Sequence, residues 1–119
     1  MEAISLFVQP KPLLSKIIER AVAENNLKAQ PLTLNPGGYL FREGDDIRET
    51  FYLTRGLVRL YSDTSDGYTK TVFFHKAGTL IGFQGFRPEL DRKPSILNAK
   101  ATTKVEAFAI GAEHFGSYL

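Results

Sequence analysis

The sequence predicts a mainly β domain, a sandwich or jelly-roll barrel with a helix ahead of it, and two observations carry that prediction. From Gln30 onward, eight short segments rich in aromatic and β-branched residues alternate with tight-turn residues. Ahead of them the apolar spacing is three and four, the mark of an amphipathic helix. At 119 residues the chain has room for one domain, which should remove about two-thirds of its unfolded surface from water.

The helix is expected over 12–26. Leu13, Leu14, Ile17, Ile18, Ala21 and Val22 make one apolar face, with Lys16, Glu19, Arg20 and Glu24 elsewhere. Pro12 suits the first turn, where a missing N–H leaves no hydrogen bond unmade. The β-roll is expected over 30–110, with strands at 32–34, 39–41, 50–54, 57–61, 68–74, 80–81, 96–102 and 105–110. Turn chemistry separates them: Asn35-Pro36-Gly37-Gly38, Glu43-Gly44-Asp45-Asp46, Arg55-Gly56, Ser65-Asp66-Gly67 and Lys76-Ala77-Gly78. Residues 83–94 form the one long irregular stretch, and such a stretch inside a compact roll is more often a functional loop than slack. Residues 112–119 could begin a helix too short to stand alone. The expectation is therefore a fragment ending before a longer carboxy-terminal helix.

Composition excludes several classes of function. Hydrophobic residues are 43% and charged residues 24%, the balance of a folded rather than a disordered chain. Fifteen basic against thirteen acidic residues leave +2, too small and too dispersed for a nucleic-acid footprint. Zero Cys removes disulfides, thiolate nucleophiles and cysteine-ligated metal centres. The amino terminus has no signal-peptide pattern and no run reaches the roughly 18 apolar residues of a spanning helix, so the expectation is a cytoplasmic protein with no membrane partner. His75 and His114 are 39 residues apart with no third imidazole, so no metal site is predicted. His75, at a strand end after Phe73-Phe74, reads as a surface or packing residue. Ser15, Ser62, Ser65 and Ser117 sit in helix or turn contexts, and no nucleophile, base and acid share a recognisable spacing. Neither enzyme activity nor a cofactor is expected.

Five spaced blocks carry a family resemblance. They are Leu40-Phe41-Arg42-Glu43-Gly44-Asp45, the run from Phe51 to Tyr61 that includes Arg55-Gly56, Asp66-Gly67, Gly78-Thr79-Leu80-Ile81-Gly82, and Ala99-Lys100-Ala101-Thr102-Thr103-Lys104-Val105-Glu106. Over about residues 28–115 the chain resembles the cyclic-nucleotide-binding domain family. Within it, the chain most resembles the sensor domains of catabolite-activator and fumarate–nitrate-reduction type bacterial transcription regulators. The resemblance implies a double-stranded β-helix, a cupin-like barrel, with a flanking amino-terminal helix and a carboxy-terminal helix truncated here. It implies an effector-sensing module spanning 1–119, a homodimer formed through the helix this chain mostly lacks, and DNA contact only through a domain not in this chain.

In such domains the glycine corresponding to Gly82 opens the phosphate-binding cassette. The sequence departs from the family pattern beside it. Where nucleotide-binding members place a glutamate for the ribose hydroxyl, this chain has Phe83, which cannot accept that bond. An arginine before a small residue would grip the cyclic phosphate. Here Lys93 precedes Pro94, with Arg92 one residue earlier. Lys93 offers a point charge without a bidentate fork, and Pro94 has no N–H to give. Weak or absent cyclic AMP binding follows. The candidate ligand-binding residues are Gly82, Phe83, Gln84, Phe86, Arg92, Lys93 and Ser95, an aromatic loop beside a basic pair that suits a small anion with an apolar body or another small-molecule effector. The alternative is a docking or structural domain in which Phe83 and Phe86 plug a closed pocket.

Overall fold

The computed structural model describes residues 7–24, 28–47, 49–82 and 95–111. In chain order they form β1 (Phe7–Val8), α1 (Pro12–Ala23), β2 (Ala29–Leu34), β3 (Tyr39–Phe41), β4 (Glu49–Arg55), β5 (Leu57–Asp63), β6 (Thr69–Lys76), β7 (Leu80–Ile81), β8 (Asn98–Ala101) and β9 (Val105–Gly111). The strands build two sheets. One has the order β1-β6-β5-β8-β3 and the other β2-β9-β4-β7.

The expected double-stranded β-helix, the cupin-like barrel, is corrected by this topology. Among the described residues no ladder joins one sheet to the other, and neither sheet closes on itself. The structure is a mainly β, jelly-roll-like sandwich of two open sheets with one amino-terminal helix. Three of the four edge strands are short, β1 and β7 two residues and β3 three, and offer little ladder for closure. The truncated carboxy-terminal helix expected at 112–119 lies outside the described residues.

Among the described residues the chain changes sheets at almost every turn, and only β5 and β6 are consecutive strands paired within one sheet. Gly56 makes the sharpest of these changes. It holds φ +98°, and a Cβ there would be driven into the Lys104 carbonyl, so only glycine fits between β4 and β5.

Strand alternation sends one face of each sheet into a shared core. Phe51 and Leu53 of β4, Val58 and Leu60 of β5, Ile81, Ala99, Ala101, Val105 and Ala107 pack there. The other face of β4 carries Thr50 and Tyr52, and a second cluster forms against α1 from Ile18, Ala21, Tyr52, Leu80 and Ile110. Ile18 and Ala21 are sealed by it, whereas Leu13 and Ile17 of the same apolar stripe stay exposed. Two polar ties fix the helix to the sheets. Ser15 Oγ donates to the Gly78 carbonyl at 3.0 Å, and Tyr52 OH donates to Glu19 Oε1 at 3.0 Å.

Candidate functional site

A cavity of about 340 Å³ opens between the sheets, against the ends of β6 and β7 and the segment leading into β8. Its lining is apolar apart from His75, Gly82 and Ser95; Phe41, Leu60, Phe73, Ile81 and Leu97 make most of the wall. This is the low end of the size range for small-molecule pockets, about 300–1,000 Å³, and its chemistry is typical of them.

Two of the seven sequence-predicted site residues are described, and both lie on this cavity. Gly82 follows β7 at φ +90°, and a Cβ there would sit 2.8 Å from the Glu49 carbonyl oxygen. The close approach is used: Thr50 Oγ1, fully buried, donates to the Gly82 carbonyl at 3.1 Å. Gly82 thus needs to be glycine for the β4–β7 contact as well as for its place on the rim. Ser95 is held by backbone bonds in both directions, its N–H donating to Asp45 O and its carbonyl accepting from Gly44 N–H, each at 2.8 Å. Its hydroxyl turns back to donate to Leu97 O at 2.7 Å. Phe83, Gln84, Phe86, Arg92 and Lys93 lie outside the described residues.

His75, expected from the sequence as a surface or packing residue, is buried. It is 8% exposed and borders the cavity. Its Nδ1 lies 3.1 Å from Thr79 Oγ1, which itself donates to Lys76 O at 2.7 Å. Burial pushes the imidazole pKa down to about 4 from the ordinary 6.5, because removing water penalises the charged ring. The site therefore offers an apolar volume and, from His75, a neutral polar group. Among the described residues no three acidic or imidazole side chains are grouped to hold a metal ion, and no helix is long and apolar enough to cross a membrane.

The described residues thus form a two-sheet sandwich with an apolar cavity between the sheets. The sequence profile of the family described as "Cyclic nucleotide-binding domain" matches residues 31–119, and the chain belongs to that family. The resemblance read from the five blocks is borne out. The chain is 34% identical over 116 aligned positions to a protein named as cyclic nucleotide-gated ion channel 9 of Arabidopsis thaliana, covering 89% of this chain and 15% of that protein. It is 32% identical over 72 aligned positions to the fumarate and nitrate reduction regulatory protein of Vibrio cholerae, covering 60% of this chain and 28% of that one. The chain thus spans less than a third of either curated relative. Among solved structures, the amino-terminal domain of a transcriptional regulator from Streptomyces coelicolor superposes with a TM-score of 0.72 at 27% identity, over 92% of this chain and 76% of that one. This kinship with regulatory ligand-binding domains makes the role of the chain non-enzymatic.

Proposed function

We propose that this chain is the effector-sensing module of a transcription regulator, taking a small molecule with an apolar body and binding cyclic AMP weakly or not at all. The apolar cavity carries the reading. A cyclic nucleotide would bring a ribose and a phosphate to a wall whose described members are mostly hydrocarbon, and polar ligand groups left without partners lose about 1–3 kcal/mol each. The Ser95 amide at the rim is already spent on Asp45 O. In this reading Phe83, Gln84 and Phe86 complete the wall, and Arg92 and Lys93 orient an anionic head when the effector has one. The regulator pairs through a helix beyond Gly111 and reaches DNA through a separate domain.

Calorimetric titration tests the ligand. Cyclic AMP and cyclic GMP are expected to give no saturable heat at micromolar concentration, while compact aromatic compounds bind. Micromolar affinity for cyclic AMP would overturn the reading.

A further inference from the structure

We propose that His75 is the hydrogen-bond acceptor of the cavity and selects effectors that carry an O–H or N–H donor on their apolar body. The inference rests on the reading of the cavity as the effector site and names what that site recognises.

The tautomer follows from a proton count. Thr79 has one hydroxyl proton, and it goes to the Lys76 carbonyl. Toward His75 the same oxygen can only accept, so Nδ1 carries the ring proton and donates it across 3.1 Å. Nε2 is left with a bare lone pair. No bond to Nε2 exists among the described residues, and none of their sealed side-chain nitrogens or oxygens lacks a partner. Nε2 is therefore not a sealed, unpartnered atom. Two cavities meet at His75, the larger one and a neighbour of about 160 Å³. Thr79 borders only the smaller. Nδ1 is thus engaged by a residue of the smaller cavity, and in this assignment Nε2, at the opposite edge of the ring, addresses the larger one.

The chemistry of selection is one-sided. Burial keeps the ring neutral through the physiological range, with a pKa of about 4, so Nε2 accepts and does not donate. A carboxylate or phosphate would set lone pair against lone pair there, and an anionic head must point elsewhere. A hydroxyl or ring N–H satisfies Nε2. An isosteric ether leaves it unpaired in an apolar wall, the situation in which a hydrogen-bonding site rejects the analogue lacking the group.

The test uses β-naphthol and its methyl ether as matched probes, titrated into the 119-residue protein and into its His75→Phe variant. In the wild type β-naphthol binds about 10-fold more tightly than the ether, the size expected of one buried hydrogen bond. In His75→Phe the preference disappears through loss of naphthol affinity, and the ether binds as before. Equal affinities of the two probes for the wild type would overturn the role of His75 while leaving the cavity as a ligand site. Binding of neither probe would remove the cavity reading and this inference with it. Isotope-labelled histidine in the wild type gives a readout independent of the variant's folding. The His75 Nε2 resonance must move with β-naphthol and stay in place with the ether, and the reverse overturns the assignment.

Discussion

Lowering the pH should destabilise this protein through His75 in particular, and the size of the effect can be worked from the structure. Folded, the ring resists protonation down to about 4; unfolded, it protonates at the ordinary 6.5. Between these values the unfolded state binds the extra proton, so stability rises with pH across the window. The contribution is fully present above 6.5 and is lost as pH falls toward 4. At roughly 1.4 kcal/mol per pH unit, the whole window amounts to about 3 kcal/mol. Water reaching the ring from the cavity reduces this to about 2 kcal/mol. His75→Gln keeps an amide beside Thr79 and does not titrate. Urea unfolding followed by circular dichroism, at roughly pH 4.5 and pH 7.5, compares the two proteins. The wild type should lose about 2 kcal/mol more than the variant on going to the lower pH. Equal losses would refute the reasoning, because the carboxylates common to both proteins would then account for all of the acid sensitivity.

Gly82→Ala should cost about 2 kcal/mol or more in urea unfolding, since the new methyl meets the Glu49 carbonyl at a positive φ; a neutral result would show that the β4–β7 contact yields easily. Tyr39→Phe removes the hydroxyl 2.8 Å from Tyr61 OH, the main cause that pushes the Tyr61 pKa up to about 12. Ultraviolet titration of tyrosinate should then find Tyr61 ionising closer to the ordinary 10, and an unchanged titration would mean that burial alone sets the value.

The β content and the amino-terminal helix were legible because they are written in local patterns. Tight turns such as Arg55-Gly56 and Lys76-Ala77-Gly78 interrupt alternating segments, and the spacing from Leu13 to Val22 marks a helix. Closure was not legible, because it depends on which strand edges meet. Gly56 marks a turn in the sequence, but only the structure places β4 and β5 in different sheets. The apolar stripe of the helix was likewise read as one face. Which part of it is covered depends on where Tyr52, Leu80 and Ile110 arrive, and they cover Ile18 and Ala21 while leaving Leu13 outside. Gly82 and Ser95 were placed by resemblance, and their structural bonds to Thr50 and to the Gly44–Asp45 turn are long-range features that no spacing in the sequence announces.

The assignment of His75 turns on a single residue of register. From the Ser65-Asp66-Gly67 turn the hairpin pairs regularly, Asp63 with Thr69, Ser62 with Lys70 and Tyr61 with Thr71. Continued without interruption, that register would set Val58 opposite Phe74. The core side chain of Val58 would then share its face with Phe74, and His75 would point outward, as its position at a strand end suggests. Instead the ladder shifts between Tyr61 and Leu60, so Leu60 meets Phe73 and Val58 meets His75. A one-residue slip turns every later side chain to the other face. Phe74 moves to the outer face, where its ring stacks on Phe7 of β1 at 5.1 Å between centroids. His75 moves inward beside Val58, and the buried acceptor appears in the cavity. The bulge thus exchanges an aromatic side chain for an imidazole in the wall, and the outer partner of Phe74 comes from β1, far away in sequence. Deleting Val72, which the register passes over, should leave a regular ladder with the same later pairs, Leu60 with Phe73, Arg59 with Phe74 and Val58 with His75, so that His75 stays inside and Phe74 outside. The ring should then keep its depressed value of about 4 rather than the ordinary 6.5, as read by nuclear magnetic resonance of the imidazole. A deletion variant that folds with His75 titrating near 6.5 would show that pairing opposite Val58 is not what holds His75 inside.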